Sequence, residues 1–128
     1  MRQEWLNLAL VGGGGALGAI ARYGVGGLLH RNPALAGFPF GTLTVNLLGC
    51  LLIGLGAGLA DTRQVFTPEA RLFAFVGLLG GFTTFSSFGY ETIALLRDHE
   101  FLRAGLNAGL NVFAGLALVW LGYALTSR

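Results

Sequence analysis

Four apolar segments, each long enough to cross a bilayer as one helix, constrain the fold of this chain more than any other feature. A transmembrane helix needs about 20 consecutive apolar residues. We name the segments spans one to four, and they cover residues 5–29, 40–60, 72–96 and 104–125. The connectors hold all three prolines and most of the charges, as loops do. The sequence therefore predicts an all-α membrane protein, folded over residues 1–128 as a single four-helix transmembrane domain.

The composition supports a membrane protein and excludes several other classes. Of the 128 residues, 54% are hydrophobic and only 11% are charged, whereas soluble domains carry about 25% charged residues. A net charge of +2 is too small to indicate nucleic-acid binding. The single cysteine, Cys50, rules out a disulfide within the chain or a thiolate cluster. The sequence has neither a P-loop nor a phosphorylatable aspartate motif, and we predict that the protein is not an enzyme.

The connectors give almost no preference for one orientation in the membrane. Cytoplasmic loops usually carry the excess of basic residues. Here four arginines lie on the side of the termini and three on the opposite side: Arg2, Arg63, Arg71 and Arg128 against Arg31, Arg97 and Arg103. One interpretation is a weak bias towards one orientation. The other is dual topology, in which the chain inserts both ways and opposed copies pair as an antiparallel homodimer.

Glycine is abundant in the spans, and its spacing predicts close helix packing. Small residues four apart let helix backbones approach each other within a membrane. Three such pairs occur, and they are Gly14 with Gly18, Gly54 with Gly58, and Gly105 with Gly109. We interpret these pairs as packing faces of a tight bundle.

Span three contains a polar interruption. Residues 80–91 read Gly-Gly-Phe-Thr-Thr-Phe-Ser-Ser-Phe-Gly-Tyr-Glu. Paired glycines and β-branched threonines suit a continuous helix poorly, so we predict a break or an unwound turn here. Non-helical backbone at membrane depth is tolerated only where it is buried or lines a cavity. Carbonyls exposed by such a break can hold a cation; the alternative is a packing kink whose threonine hydroxyls bond to their own helix.

Two aromatic residues follow the predicted break. Phe85 and Phe88 are three residues apart and lie on one helical face. Aromatics at this spacing are often core residues, but these alternate with the hydroxyls of Ser86 and Ser87, and Glu91 follows. The edge of an aromatic ring is positive. Ring edges turned towards a pore would therefore assist a small anion without holding it as tightly as a full charge.

Amides inside the spans are the other unusual feature. Asn46 lies in span two with Thr42 four residues earlier, and Asn111 lies in span four with Asn107 one turn earlier. An amide in lipid either joins helices through hydrogen bonds or lines a pathway. Both interpretations of Asn46 stay open from its position alone.

These motifs resemble those of a known family. Residues 80–88 resemble the signature of the small bacterial fluoride channels, the Fluc family, and this long motif is specific. Gly-Ala-x-x-Arg-Tyr at 18–23 and Gly-Thr-Leu-x-Val-Asn at 41–46 resemble the motifs of the first two spans. Length, span number and balanced charge agree along nearly the whole chain. Some relatives carry a serine where Gly115 stands, which makes Asn111 the candidate for that contact in span four.

The resemblance implies a fluoride-selective channel that passively exports cytoplasmic fluoride through the inner membrane. It implies a dual-topology antiparallel homodimer, with lipid, fluoride and a second copy of the chain as partners. It further implies a sodium ion at the dimer centre, held by the backbone carbonyls of Gly80 and Thr83 from both subunits. Arg22 would lie in a vestibule. The fluoride pathway would involve Asn46, Thr84, Phe85, Ser86, Ser87, Phe88 and Glu91.

Two other functions compete with the fluoride channel. A proton-coupled exporter of the small multidrug resistance type needs a carboxylate in its first span, where this chain has Arg22 and no acid. A glycine-packed assembly subunit would leave the series of threonine, phenylalanine and serine in span three without a purpose. Both therefore rank below the channel.

Overall fold

A computed structural model describes residues 1–128 as an all-helical chain without strands. Four helices are long and apolar enough to cross a membrane, which confirms the predicted number of spans. From here on, spans one to four denote these helices, Arg2–His30, Phe40–Arg63, Pro68–Arg97 and Phe101–Thr126. Each is longer than its apolar segment because the helical hydrogen bonds continue through the polar residues at its ends. A short 3-10 turn at Pro33–Leu35 lies between spans one and two.

The bundle consists of two closely packed pairs. Span two packs along span four, and span one packs against the part of span three that precedes Thr83. Glycines allow both approaches: a Cβ at Gly54 would meet the carbonyl oxygen of Val119, and a Cβ at Gly18 would meet that of Leu78. Such contacts with backbone atoms leave no room for a side chain.

The predicted glycine faces are confirmed for two of the three pairs. The pairs in spans one and two lie directly against the backbone of a neighbouring span. Gly105 and Gly109 have no atom within 4 Å of where a Cβ would stand. Within a single chain, the pair in span four therefore packs against nothing.

Span three is irregular along its length. It begins as an α-helix at Pro68–Arg71 and continues with π-helical hydrogen bonds over Leu72–Leu79. A last helical turn, Gly80–Phe82, follows. Helical structure resumes at Phe85–Arg97. We call the parts before and after residues 83 and 84 the first and second halves of span three.

The residues between the two halves are extended. Thr83 has φ −86° and ψ 158°, and Thr84 has φ −149° and ψ 116°. The glycines before them are helical, although we expected them to help interrupt the helix. Gly81 instead packs against the carbonyl oxygen of Gly15 in span one, where no side chain fits. The β-branched threonines take the extended conformation because it suits their side chains.

Candidate functional site

A groove of about 320 Å³ lies beside the extended residues and is bounded by spans two, three and four. Its polar wall includes the side chains of Asn46 and Asn111 and the backbone of Gly80 and Thr83. Its apolar wall includes Cys50, Ile53, Phe75, Leu79, Phe85, Phe88 and Val112. Residues from three spans therefore converge on the place where the helix of span three is interrupted.

Asn46 holds Thr84 at two points. Its Oδ1 accepts the Thr84 N–H at 2.8 Å, and its Nδ2 donates to the Thr84 carbonyl at 3.1 Å. The same Nδ2 also donates to Asn111 Oδ1 at 2.8 Å. One side chain of span two thus satisfies both backbone groups of an extended residue, which would otherwise be unpaired at membrane depth. Both N–H groups of Asn46 are used within the chain.

These bonds deprive two carbonyls of their usual helical donors. In a continuous helix, Gly80 C=O would accept the N–H of Thr84, and Thr83 C=O would accept the N–H of Ser87. The Thr84 N–H instead donates to Asn46, and the Ser87 N–H donates to Thr84 Oγ1 at 3.2 Å. Both residues line the groove. Backbone oxygens freed at the end of a half-helix are the ligands that sodium finds in interrupted membrane helices, so this pair fits a sodium ion.

The position of Thr83 depends on a glycine of span two, Gly49. Its methyl group occupies the space where a Cβ of Gly49 would stand. Its hydroxyl donates to the Leu79 carbonyl at 3.1 Å. Both polar and apolar parts of the Thr83 side chain are therefore used within the chain.

Thr84 begins the second half of span three as its N-cap. Besides accepting the N–H of Ser87, Thr84 Oγ1 donates to Ser87 Oγ at 3.1 Å and lies 3.3 Å from Ser86 Oγ. Capping of this kind is the usual role of threonine before a helix. The three hydroxyls form a cluster at the positive end of the second half-helix.

The two predicted aromatic residues meet in the groove. The ring centroids of Phe85 and Phe88 are 5.3 Å apart with an interplanar angle of 65°, an edge-to-face arrangement. Phe85 is 81% exposed in the isolated chain, while Phe88 is half-buried. An edge-to-face pair directs one positive ring edge at the face of the other ring. Both rings line the groove.

A second cavity, of about 230 Å³, also has Thr84 in its wall. Arg22, Thr42, Ser87 and Glu91 contribute to its wall. The Thr42 hydroxyl donates to Glu91 Oε1 at 2.7 Å, whereas Glu91 Oε2 has no hydrogen-bond partner in the chain. Thr84 lines both cavities, and the lining of the second is the more polar of the two.

Arg22 also contacts the end of the first half of span three. Its Nε donates to the Gly81 carbonyl at 3.1 Å. Carbonyls at the C-terminal end of a helix lack partners within that helix, and a cation there is stabilised by the helix dipole. Arg22 therefore has a clear structural contact in addition to any effect on an ion.

The structure brings most of the predicted residues together, in two groups. Asn46, Thr83, Phe85 and Phe88 are in the groove with Gly80, while Arg22, Ser87 and Glu91 are in the second cavity with Thr84 common to both. Ser86 is exposed and lines neither cavity.

Sequence reasoning missed one residue, Thr92. Its hydroxyl accepts a hydrogen bond from Asn107 Nδ2 at 2.9 Å and donates to the Phe88 carbonyl at 2.8 Å. Asn107 is the only buried amide, with no exposed surface at all. The signal in the sequence that could have identified Thr92 is a hydroxyl one helical turn after Phe88.

Comparison with known proteins identifies the family. The model of the family described as "CrcB-like protein, Camphor Resistance (CrcB)" matches residues 9–123. The chain belongs to the CrcB-like family. A protein of Thermus thermophilus, named a fluoride-specific ion channel FluC, is 53% identical over 123 residues, which are 96% of this chain and 94% of that protein. A protein of the same name from Methylobacillus flagellatus is 46% identical to this chain, over 93% of each. Another, from Nitratidesulfovibrio vulgaris strain Miyazaki F, is 44% identical to this chain, over 91% of this chain and 93% of that protein.

The CrcB-like match confirms the resemblance found in the sequence. The named relatives are channels rather than enzymes or exporters. The comparisons therefore favour a channel over the proton-coupled exporter considered above.

Proposed function

We propose that this chain is a fluoride-selective ion channel that passively exports cytoplasmic fluoride and so lowers its toxicity. The observation that carries the proposal is the interruption at Thr83 and Thr84, which brings two phenylalanines and two asparagines of three spans to one groove. The names of the relatives support the choice of ion. We further propose an inner-membrane location for this multi-pass membrane protein.

The chemistry of the groove suits a small, strongly hydrated anion. Removing water from fluoride is feasible only where protein donors replace it, and hydroxyls and amides are such donors. The ring edges of Phe85 and Phe88 add weak, positive partners. Conduction needs serial sites of moderate strength, and spans two to four carry no basic side chain within residues 40–60, 72–96 and 104–125 that would trap the ion.

Asn46 would bind the ion by giving up one of its present hydrogen-bond acceptors. Both of its N–H groups donate within the chain, to Thr84 and to Asn111. An anion that takes one of these hydrogens displaces a carbonyl or amide oxygen. Such competition keeps the interaction moderate, as release of the ion requires.

The polar track would continue from the groove into the second cavity. Thr84 and Ser87 supply hydroxyls at the positive end of the second half-helix, which favours an anion. Glu91 follows, held by Thr42. Arg22 lines the same cavity and would contribute positive potential to a vestibule.

We propose that the carbonyls of Gly80 and Thr83 hold a sodium ion together with those of a second, antiparallel copy. The support is that their helical donors are engaged elsewhere and that both residues line the open groove. The negative end of the first half-helix favours a cation at this point. When bound, such an ion supplies positive charge near the anion path without contacting the anion.

A dual-topology homodimer would also explain the exposed apolar surface of the single chain. Phe85 is largely uncovered at the groove, and Gly105 and Gly109 pack against nothing. The balanced arginines favour insertion in both orientations. Two opposed copies would close the open side of each groove.

The direct test is fluoride efflux from liposomes that contain the purified protein and are loaded with potassium fluoride. We expect rapid efflux at a fluoride electrode once potassium is allowed to move, and no efflux of chloride from matched liposomes. Liposomes that retain fluoride although the protein is correctly inserted would overturn the proposal. Comparable chloride efflux would overturn the selectivity.

Substituting Phe85 or Phe88 by Ile tests the aromatic wall of the groove. Isoleucine keeps apolar volume but has no positive ring edge, so each variant should lose about fivefold or more in fluoride efflux, a value set by the roughly 1 kcal/mol scale of aromatic-edge contacts. The elution volume in detergent should stay that of the unsubstituted protein. Phe113→Ile, at a 74% exposed position of span four outside the groove, is the matched control. Normal efflux in both groove variants would remove the aromatic residues from the pathway.

A further inference from the structure

A chain of hydrogen bonds leaves span three at Thr84 and returns to it at Phe88. The Thr84 N–H donates to Asn46 Oδ1 at 2.8 Å, and Asn46 Nδ2 donates to Asn111 Oδ1 at 2.8 Å. Asn111 Nδ2 donates to Asn107 Oδ1 at 3.1 Å and to the Asn107 carbonyl at 2.9 Å. The next links are Asn107 Nδ2 to Thr92 Oγ1 at 2.9 Å and Thr92 Oγ1 to the Phe88 carbonyl at 2.8 Å.

Each side chain in this series donates to the next in the same direction, from Asn46 towards the Phe88 carbonyl. An asparagine amide can be turned over, so that its oxygen and nitrogen exchange places. The Thr92 hydroxyl donates its single hydrogen to the Phe88 carbonyl, so it can only accept a hydrogen bond from Asn107. That fixes which end of Asn107 faces Asn111. Asn107 then offers Asn111 Nδ2 two acceptors, its Oδ1 and its carbonyl, so that Asn111 Oδ1 is left to accept from Asn46. The Thr84 N–H and C=O themselves require Asn46 to accept with Oδ1 and to donate with Nδ2, and the series of side chains that begins at Thr92 stabilises this orientation.

We propose that Thr92 and Asn107 are positioning residues of the ion pathway, which stabilise the orientation of the Asn111 and Asn46 amides and thereby help to hold Thr84 extended. The inference rests on the proposed fluoride conduction. Neither residue lines the groove or the second cavity, and Asn107 has no exposed surface. Thr92 also contacts the carbonyl of Phe88, a residue of the groove, but we assign the effect of both residues on the ion to Asn111, which lines the groove as well.

The burial of the network makes its direction matter. In water a reversed amide would find new partners at once, but an unpaired polar group in the membrane interior costs more than the hydrogen bond that it loses. Asn111 lies in the π-helical segment Leu110–Ala114, which directs its side chain towards Asn46. Reversal at Asn107 would set its oxygen against the accepting Thr92 Oγ1 and its nitrogen against Asn111 Nδ2.

The test is fluoride efflux from liposomes that contain Thr92→Val or Thr92→Ser protein. Valine has the shape of threonine without the oxygen, and it leaves a buried Asn107 N–H unpaired, so we expect efflux to fall about tenfold. Serine retains the oxygen, and we expect a rate close to that of the unsubstituted protein. An unchanged rate in Thr92→Val would overturn the inference. Thr92→Ala removes the same oxygen and carries the same expectation if the valine variant fails to assemble.

Two further comparisons separate positioning from a general loss of stability. Thr126→Val is the matched control, because the Thr126 hydroxyl also links spans four and two, with the Leu55 carbonyl at 2.9 Å, but lies outside the groove. Its efflux should be unchanged. In an Asn111→Ala background, Thr92→Val should add no further loss, because the residue through which it acts is gone. Additive losses there would overturn the inference, whereas an unsubstituted protein that conducts no fluoride would overturn the proposed function instead.

Discussion

Asn46→Asp is expected to abolish fluoride efflux from liposomes. Aspartate keeps an acceptor for the Thr84 N–H but has no hydrogen to give to the Thr84 carbonyl or to Asn111 Oδ1. Oxygen then faces oxygen at two contacts of about 3 Å, and a negative charge enters an anion path. Two lost buried hydrogen bonds, at about 1–3 kcal/mol each, correspond to a loss of roughly 100-fold or more before any charge repulsion is counted.

Asn32→Asp is the control for the added charge. Asn32 caps the short turn between spans one and two by accepting the Ala34 N–H at 3.0 Å, and aspartate accepts equally well. This variant should conduct as the unsubstituted protein does. If Asn46→Asp protein reached the liposomes intact and conducted at the normal rate, Asn46 would be a packing residue alone.

Gly18→Ala is expected to disrupt the packing of span one on span three. An added Cβ would lie 2.8 Å from the Phe82 nitrogen and even closer to the Leu78 carbonyl oxygen. Both contacts are with backbone, which cannot turn aside as a side chain would. Overpacking of this kind costs about 1–3 kcal/mol or more. Phe82 is the last helical residue before Thr83, so its displacement should also lower fluoride efflux.

The measurement is the midpoint of thermal unfolding in detergent, followed by efflux from liposomes. Gly12→Ala in the same span is the matched control, because no atom lies within 4 Å of its added Cβ. We expect a clear drop in the midpoint for Gly18→Ala and little change for Gly12→Ala. Equal midpoints in the two variants would show that spans one and three do not pack as closely as described.

Much of the architecture could be predicted because its signals lie within short stretches of sequence. Apolar length alone identified four spans, since each must pair its backbone groups internally to cross a membrane. The polar residues of 80–91 identified the region of the groove because lipid selects against them. The spacing of Phe85 and Phe88 placed them on one face, and they do meet edge to face.

The contacts between spans could not be read from the sequence. Whether Asn46 joins helices or faces an ion depends on what stands opposite, and that is the backbone of a residue 38 positions later. The helical state of Gly81 was missed because a tertiary contact with Gly15, and not local propensity, accounts for glycine there. Thr92 was missed for a similar reason, since its partner Asn107 lies on another span.

The backbone of Thr84 forms hydrogen bonds with Asn46 of span two, and this has a consequence for biosynthesis. Its N–H and C=O find no acceptor or donor in span three, so the extended conformation is unfavourable in a bilayer until Asn46 is alongside. Span two precedes span three in the chain and is already made when the ribosome delivers the later segment. Thr84 can therefore reach its extended conformation without unpaired backbone groups only after spans two and three have docked.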